Sequence, residues 1–271
     1  MTMPSAATPV TQTSVEAKAS WTIEYLSQPA AVSMADRWFE ISSTDHFWIR
    51  RRFAVLQRLA GHRISVAGEV AEFGCGHGLL QRQIEDAYLR EVTGFDLNEA
   101  ALKQSASRLS RVCCYDILQR EPALHNRFAA ILLFDVLEHI SDESQFLQAL
   151  LFHLAPGGTL IINVPAGQWA YSSYDVAAGH MRRYSFETLQ KTVCASGFSL
   201  QEWSYWGLPL IPALLVRKIW LLGNHDQTKI ITAGFDSRSA AINRMMGLIS
   251  RCEWLPQKVL GTSLMAAFSK S

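Results

Sequence analysis

The chain has 271 residues, 49% of them hydrophobic, which is enough to bury the core of one large α/β domain or two small ones. Its net charge of +1, with Arg50-Arg51-Arg52 as the only basic run of three, argues against nucleic acid as a partner. The five cysteines are odd in number and lack C-x-x-C spacing, so neither a disulfide framework nor a structural zinc site is indicated. A reducing, cytoplasmic location is expected, because the N-terminus has no secretory-signal pattern.

The N-terminal part of the chain divides into a tail and a helical region. Residues 1–19 are rich in Ser, Thr, Ala and Pro without apolar periodicity, which predicts a disordered tail. Residues 20–271 are expected to form a single domain that opens with a helical cap over residues 20–62, where aromatic and aliphatic residues recur at helical spacing. Candidate N-caps for the second helix of this cap are Ser43, Thr44 and Asp45.

A glycine-rich run follows the first predicted strand. Val70–Phe73 is apolar and leads into Glu72-Phe73-Gly74-Cys75-Gly76-His77-Gly78, a pattern that predicts a strand, a tight turn and a helix. Asp96 ends the next predicted strand, Glu91–Phe95, where a carboxylate can accept hydrogen bonds from both hydroxyls of a ribose. The sequence therefore predicts a nucleoside-containing ligand at the carboxyl end of a parallel sheet. The run lacks the later glycine of a dinucleotide fingerprint, which disfavours a nicotinamide-dependent oxidoreductase.

Strands and helices then alternate along the chain. Asn98 caps a helix expected to run to about Leu109, and Phe128 to Phe134 is continuously apolar, as a strand buried on both faces should be. The other predicted elements are strands at Arg111–Tyr115, Thr159–Val164, Ser199–Tyr205 and Thr262–Ser269, and helices at Glu143–Leu154 and, after an N-cap at Ser185, up to about Ala195. This alternation indicates a doubly wound α/β sheet with a helical insertion, residues 207–261, before the last strand.

Residues 69–165 resemble the class I S-adenosylmethionine-dependent methyltransferases. The motifs that carry the resemblance stand in the order and at the intervals of that family: Glu72 to Gly78, Gly94-Phe95-Asp96-Leu97-Asn98, Cys114-Tyr115-Asp116-Ile117, Phe134-Asp135-Val136-Leu137-Glu138-His139-Ile140 and Leu154-Ala155-Pro156-Gly157-Gly158. The resemblance implies a Rossmann-like, mostly parallel sheet of seven strands, with S-adenosylmethionine as the cofactor.

The same resemblance implies a set of cofactor-binding residues. Asp116 is expected beside the adenine, although it is also interpretable as a turn residue. Residues 45–52 resemble a segment that closes the cofactor site in one subset of the family; an amphipathic helix packed on the sheet is the alternative. The full set is Trp48, Arg52, Glu72, Gly74, Cys75, Gly76, Gly78, Asp96, Leu97, Asp116, Ile117, Phe134, Asp135, Val136 and His139.

No metal is predicted from the sequence. Glu138 and His139 carry side chains that ligate metals well. The sequence Leu-Glu-His-Ile, however, occurs in the family without metal dependence, so the resemblance favours a metal-free site.

The stretch after the fifth predicted strand resembles a subset of these enzymes with the pattern D-x-x-x-G-H-x-R-R-Y, here Asp175 to Tyr184. His180 is the candidate catalytic base and Asp175 the residue that orients it. Alternatively His180 braces the loop and Asp175 forms a structural ion pair. Arg182 and Arg183 suit a carboxylate or phosphate on the acceptor, or equally a salt bridge. Candidate substrate-binding aromatics are Trp169, Tyr171 and Tyr174.

The insertion contains an apolar stretch, residues 207–222, which two prolines and Arg217-Lys218 interrupt. It is too short to span a bilayer. Three roles remain open for it: a lid over a hydrophobic acceptor, a homodimer surface, or an interfacial helix in peripheral contact with a membrane.

These observations lead to one main functional hypothesis. The chain is expected to transfer a methyl group from S-adenosylmethionine to a small-molecule acceptor, by O-methylation of an apolar or carboxylate-bearing metabolite. The alternatives are an N- or C-methyltransferase acting on a small molecule or a glycan or lipid precursor, and a non-catalytic cofactor-binding or membrane-attached scaffold.

Overall fold

The computed structural model describes residues 22–30, 43–66, 68–221, 230 and 239–270. The expected tail, residues 1–19, and residues 31–42 of the expected helical cap lie outside these ranges.

The described residues form one sheet of eight strands in the order β1-β4-β3-β2-β5-β6-β8-β7. Only β8 runs antiparallel to its neighbours, β6 and β7. The strands are β1 (Glu24–Tyr25), β2 (Val70–Phe73), β3 (Thr93–Asp96), β4 (Val112–Cys114), β5 (Phe128–Phe134), β6 (Leu154–Pro165), β7 (Phe198–Trp206) and β8 (Ser263–Lys270). The predicted doubly wound α/β fold is confirmed, with one strand more than expected.

Eight α-helices are defined within the described ranges. They are α1 (Phe47–Val66), α2 (Leu79–Tyr88), α3 (Glu99–Leu102), α4 (Glu143–His153), α5 (Ser173–Ala177), α6 (Phe186–Ala195), α7 (Ile211–Trp220) and α8 (Ala240–Ile249). None of the helices in these ranges combines the length and the apolar character needed to cross a membrane.

Helices cover both faces of the sheet. Alternate residues of a strand point to opposite faces, and β5 shows this: Leu133 belongs to the same core cluster as residues of α4 and α6, while Leu132 belongs to the cluster that contains α1 and α2. Because helices cover both faces of β5, apolar residues are favoured at every position of this strand. The carboxyl ends of β2, β3 and β5 therefore meet at one edge of a rigid central sheet.

The additional strand, β1, is short and lies where a helix was expected. Glu24 and Tyr25 pair in parallel with Cys113 and Cys114 of β4, at the edge of the sheet. The Tyr25 hydroxyl donates to Oε1 of Glu99 at 2.5 Å. This part of the expected helical cap is thus an edge strand, because β4 offers unpaired backbone groups that extended residues can satisfy.

Helix α3 ends at Leu102, well short of the expected Leu109. The reason is the buried carboxylate of Glu85, around which the following segment wraps. Oε2 of Glu85 accepts the amide of Arg108 at 2.8 Å, and Oε1 accepts the amide of Ser110 at 2.9 Å. A helical backbone would turn these amides toward its own carbonyls, so the carboxylate and the longer helix exclude each other.

The insertion packs against the N-terminal helix. The residue before α1 is His46 and not one of the expected caps at 43–45: its Nδ1 accepts the amide of Trp48 at 3.2 Å. Oδ1 of Asn243 in α8 accepts the amide of Phe47 at 2.7 Å, from a distant part of the chain. Arg51 forms a buried ion pair with Glu253 at 2.9 Å, and Glu253 also accepts the amide of Gly207. The beginning and the end of the insertion are therefore joined at α1.

Candidate active site

The glycine loop, residues 74–78, is shaped by left-handed backbone and by contact with the end of β5. Gly74 and Gly78 have φ of 75° and 74°, which disfavours any residue with a Cβ. A Cβ at Gly74 would also lie 2.3 Å from Cγ2 of Val136. The amide of Gly74 donates to the carbonyl oxygen of Phe95 at 2.7 Å. The loop is thereby held between the carboxyl ends of β3 and β5.

Asp96 lies at the end of β3 with its carboxylate against the glycine loop. Oδ2 accepts the amide of Gly76 at 2.7 Å, and Oδ1 accepts the amide of Asn98 at 2.8 Å. Burial raises the pKa of Asp96 and these amides oppose that effect. Each carboxylate oxygen can accept a second hydrogen bond. The position therefore fits a ligand with two neighbouring hydroxyls, as the ribose of S-adenosylmethionine has.

Glu72 lies in β2 directly before the glycine loop and is only 3% exposed. Within the described residues its Oε2 has no hydrogen-bond partner. Burial raises the pKa of this carboxyl to about 8, against the attraction of Arg52. A buried carboxyl oxygen without a hydrogen-bond partner is costly, and it suits a ligand that brings positive charge. S-adenosylmethionine, with its sulfonium and ammonium groups, fits this requirement.

A buried network connects α1 to the end of β5. Asp135, with φ of 58°, accepts from Nη1 of Arg52 at 2.5 Å and from Nδ2 of Asn163 at 2.8 Å. Trp206 Nε1 donates to Oδ1 of Asn163 at 2.9 Å. The Arg52 guanidinium lies 5.0 Å from the ring centre of Trp48. Trp48 and Arg52 thus lie at the carboxyl end of β5, where the cofactor is expected. Helix α1 also packs on the sheet, as the alternative interpretation of residues 45–52 predicted.

Asn163 and Trp206 were not identified from the sequence as site residues. Asn163 is fully buried, and a single amide within the apolar strand β6 is the signal that could have found it. An amide at such a position needs specific partners, which here are Asp135 and Trp206.

Asp116 and Ile117 lie at the far side of the same edge. Oδ1 of Asp116 accepts the amide of Leu118 at 3.0 Å and caps a short turn, residues 117–119, and the backbone N–H of Asp116 donates to Oγ of Ser27. This is the turn role that the sequence left open. Ile117 is buried in the core. Contact of either residue with an adenine stays a prediction.

The acceptor loop, residues 166–184, leaves the end of β6 and returns to it. The amide of Gly167 donates to the carbonyl oxygen of Tyr184, and the amide of Tyr184 donates to that of Pro165, both at 2.9 Å. The loop is therefore closed at its base and holds its own short helix, α5, at the carboxyl edge of the sheet.

Asp175, fully buried, organises the acceptor loop. Oδ1 contacts Nδ1 of His180 at 3.0 Å and Nε of Arg183 at 2.7 Å, and Oδ2 accepts the amide of Ser172 at 2.9 Å. Burial alone would raise the pKa of Asp175, but the partners His180 and Arg183 lower it to about 2. An ionised carboxylate only accepts, so Nδ1 of His180 donates to it, and in the neutral imidazole Nε2 carries the lone pair. The expected pairing of Asp175 with His180 is present, as is the alternative pairing with Arg183.

The other candidate substrate residues have partners inside the protein. Arg182 pairs with Glu143 at 2.5 Å, and Tyr171 donates to the carbonyl oxygen of His180 at 2.7 Å. Tyr174 is buried under the guanidinium of Arg217, 4.2 Å from its ring centre. Trp169, in contrast, is 42% exposed. Contact of these residues, or of Arg183, with an acceptor stays a prediction.

The acceptor loop joins the cofactor edge at a short turn after β5, residues 137–139. Nδ1 of His139 lies 3.1 Å from the carbonyl oxygen of Gly179, and the amide of Met181 donates to the carbonyl oxygen of Glu138 at 2.9 Å. The rings of His139 and His180 are 4.9 Å apart. Burial, helped by His180, lowers the pKa of His139 to about 4, so this imidazole is neutral at pH 7.

The comparisons with known proteins identify the family. A family model described as a methyltransferase domain matches residues 44–203, which is more than half of the chain. The chain therefore belongs to this methyltransferase domain family. The match begins just before α1 and ends in β7, and so includes the glycine loop, the turn after β5 and the acceptor loop.

Two relatives carry the name "Probable S-adenosylmethionine-dependent methyltransferase". The one from Mycolicibacterium smegmatis is 29% identical over 161 residues, which cover 58% of this chain and 62% of the relative. The one from Mycobacterium tuberculosis (strain H37Rv) is 28% identical over 141 residues, which cover 51% of this chain and 50% of the relative. The chain thus matches between half and two thirds of the length of these relatives.

Solved structures show the same fold at low identity. A S-adenosylmethionine-dependent methyltransferase from Archaeoglobus fulgidus has a TM-score of 0.55 at 17% identity, covering 87% of this chain and all of the other. The [4+2]-cyclase SpnF has a TM-score of 0.56 at 16% identity, covering 90% and 98%. The predictions of a class I methyltransferase fold and of a family that uses S-adenosylmethionine are confirmed. The subset suggested by the acceptor-side motif stays a prediction.

Proposed function

We propose that this protein transfers a methyl group from S-adenosylmethionine to an oxygen of a small-molecule acceptor. The observation that carries the proposal is the Asp175–His180 pair. A buried, ionised carboxylate fixes the imidazole so that Nε2 keeps a lone pair, and the ring lies beside the turn that follows β5. A base that is oriented in this way, at the edge where the glycine loop lies, suits activation of a hydroxyl.

The cofactor is expected to bind along the carboxyl ends of β2, β3 and β5. The glycine loop lets it approach the backbone, Asp96 accepts hydroxyl hydrogen bonds, and Glu72 offers an uncompensated carboxyl to a positive group. When bound, S-adenosylmethionine supplies an electrophilic methyl group on a sulfonium sulfur. Trp48, Arg52 and Asp135 close one side of this edge.

The residues of the acceptor loop perform the rest of the chemistry. Nε2 of His180 takes the proton of the acceptor hydroxyl while the oxygen forms its bond to the methyl carbon. The electron pair of the broken carbon–sulfur bond stays on sulfur, so the products are a methyl ether, S-adenosylhomocysteine and a protonated imidazole. Asp175 stabilises that imidazolium, as its fixed hydrogen bond to Nδ1 allows. Proton uptake of this kind contributes about 100-fold or more to the rate.

An apolar or carboxylate-bearing acceptor agrees best with the surroundings. Helix α7 lies over the acceptor loop: Lys218 donates to the carbonyl oxygen of Trp169 at 2.5 Å, and Arg217 covers Tyr174. Apolar side chains of α7 are exposed, among them Val216, Ile219 and Trp220. In this proposal α7 acts as a lid that excludes water from the reaction.

An oxygen acceptor is preferred to nitrogen or carbon because of the oriented base. A neutral amine already carries its lone pair, whereas a hydroxyl of high pKa must lose its proton as it reacts. The Asp175–His180 pair provides for that loss and would be superfluous with a neutral amine. Product analysis by NMR decides which atom carries the new methyl group.

The test separates cofactor binding from turnover. Calorimetric titration with S-adenosylmethionine and S-adenosylhomocysteine is expected to give micromolar affinity that Asp96→Ala weakens about 100-fold, as loss of charged hydrogen bonds implies. His180→Ala should keep that affinity and reduce turnover about 100-fold on a panel of phenols and apolar alcohols, with and without a carboxylate substituent. Absence of binding by folded wild type would remove the cofactor assignment, and full turnover by His180→Ala would remove the base.

A further inference from the structure

Three potential metal ligands meet where the acceptor loop joins the turn after β5. One ligand atom each from Glu138, His139 and His180 can be chosen so that all lie within 4.8 Å of one another. Two of these residues are neighbours in the turn, and the third comes from the acceptor loop. The backbone bond between Met181 and Glu138 holds the two segments together.

The Glu138 carboxyl is the unusual member of this cluster. Its residue is 0% exposed, and within the described part of the chain neither carboxylate oxygen has a hydrogen-bond partner. Nε2 of His180 lies 3.9 Å from Oε1, beyond hydrogen-bond distance. A fully buried carboxylate costs several kcal/mol unless it is paired or coordinates a metal. A positive group bound by Oε1 of Glu138 and Nε2 of His180 would supply the missing partner.

Both imidazoles are oriented as metal ligands usually are. A ligating histidine typically donates its other ring N–H to a carboxylate or a backbone carbonyl, which fixes the tautomer and the direction of the ligating lone pair. His180 has Asp175 in that role at 3.0 Å, and His139 has the carbonyl oxygen of Gly179 at 3.1 Å. In each ring this arrangement assigns the lone pair to Nε2.

We propose that Glu138, His139 and His180 bind a divalent transition-metal cation. Two imidazoles and one carboxylate suit Zn²⁺, Mn²⁺, Fe²⁺ or Co²⁺, whereas Mg²⁺ and Ca²⁺ prefer all-oxygen sites. Three protein ligands leave at least one coordination position open, as in catalytic zinc sites. The sequence favoured a metal-free site, because Leu-Glu-His-Ile occurs in the family without metal dependence. The fold adds His180 to Glu138 and His139.

The role of the cation rests on the proposed function. An acceptor hydroxyl at the open position has its pKa lowered by the cation, so its proton leaves to water and the resulting oxygen attacks the methyl carbon. The electron pair of the carbon–sulfur bond stays on sulfur, as before. When the cation is bound, Nε2 of His180 is one of its ligands. The cation, instead of His180, then activates the acceptor hydroxyl.

The binding site is tested with Co²⁺, whose visible absorption reports its coordination, on chelator-treated full-length protein. Wild type is expected to bind one Co²⁺ per chain, and Zn²⁺ should displace it. Glu138→Gln and His139→Asn should each weaken binding at least about 100-fold. The exposed residues His125 and Cys252 provide matched controls, and His125→Asn and Cys252→Ser should bind as wild type does.

The inference is overturned if Glu138→Gln binds Co²⁺ with unchanged affinity, or if folded wild type binds none. Circular dichroism shows that a variant is folded, and separate titration with S-adenosylmethionine keeps the two proposals apart. Chelator-treated wild type that still methylates an acceptor at full rate would remove the role of the cation and leave the proposed function standing. Co²⁺ uptake that depends on Glu138, by a protein without affinity for S-adenosylmethionine, would uphold the metal site while the proposed function fails.

Discussion

The cofactor edge and the acceptor loop are built by different physical means. The cofactor edge depends on backbone: left-handed glycines, amides that donate to the carbonyl oxygen of Phe95, and amides that donate to Asp96. The acceptor loop depends on buried charge, since the carboxylate of Asp175 accepts from His180, Arg183 and Ser172. The cofactor edge is therefore shaped mainly by backbone hydrogen bonds, whereas a single side chain, Asp175, organises the acceptor loop.

This difference separates the two functions. Backbone geometry at the cofactor edge is specified locally and can stay the same while acceptors change. The acceptor loop is closed at its base on β6 and internally paired, so it can be altered with little effect on the glycine loop. The turn at residues 137–139, where Glu138 and His139 lie, connects the two regions.

The largest effect is expected from Asp175→Asn. The substitution leaves the guanidinium of Arg183, 4% exposed, buried without its counter-charge. Breaking a buried ion pair costs about 3–5 kcal/mol, and denaturant unfolding measures the loss. Turnover should fall with it, while affinity for S-adenosylmethionine should stay within a few-fold of wild type.

The adjacent arginine provides the control. Arg182 pairs with Glu143, but these side chains are 28% and 20% exposed. Glu143→Gln should therefore cost only about 1 kcal/mol or less. If Asp175→Asn also abolished cofactor binding, the acceptor loop and the cofactor edge would be one cooperative unit. The acceptor loop could then not be altered independently of the glycine loop.

Sequence patterns predicted the locally encoded parts well. The strand Val70–Phe73 before the glycine loop has the predicted bounds, and the helix after Ser185 begins with the predicted N-cap. Both depend on residues within a few positions of each other, so their spacing is visible in the chain. The left-handed glycines of the loop are local in the same sense.

The remaining features depend on partners brought together only by the fold. Asn163 acquires its role from Asp135 and Trp206, and Glu85 ends α3 early by binding amides far along the chain. His180 joins Glu138 only because the acceptor loop returns to the turn after β5. No spacing rule relates such residues, so their types alone could not predict these contacts.

A pair of glycine substitutions measures how tightly the cofactor edge is packed. Gly74 and Gly157 have similar φ, 75° and 70°, but a Cβ at Gly74 meets Val136 at 2.3 Å, whereas one at Gly157 meets nothing within 4 Å. Gly157→Ala should cost about 1–2 kcal/mol from backbone strain alone. Gly74→Ala should cost about 1–3 kcal/mol more from overpacking, and it should weaken S-adenosylmethionine binding.

Thermal unfolding and calorimetric titration of the two variants supply the comparison. Equal losses of stability would mean that Val136 moves aside freely, and that the glycine loop is less rigid than its contacts indicate.

A smaller effect than that of Asp175→Asn is expected at Glu72, a buried carboxyl of β2 whose Oε2 has no hydrogen-bond partner among the described residues. Its pKa is raised from an ordinary 4.5 to about 8 in the folded protein, chiefly by burial. Between these values the folded state holds a proton that the unfolded state has lost, so the free energy of unfolding falls as pH rises. From pH 6 to pH 8 the fall amounts to about 2 kcal/mol. Glu72→Gln cannot titrate, so unfolding of the ligand-free variant should lack this fall.

Glu85 is the matched control, because it is also 3% exposed but its oxygens accept the amides of Arg108 and Ser110. Glu85→Gln should destabilise the protein at pH 6 and at pH 8 alike, since an amide cannot accept all of these bonds. Glu72→Gln should stabilise the ligand-free protein at pH 8 and still weaken binding of S-adenosylmethionine. Higher stability together with weaker binding would mean that the Glu72 carboxyl contributes to cofactor affinity and destabilises the ligand-free protein. A variant that binds as wild type does would show instead that Glu72 has no part in holding the cofactor.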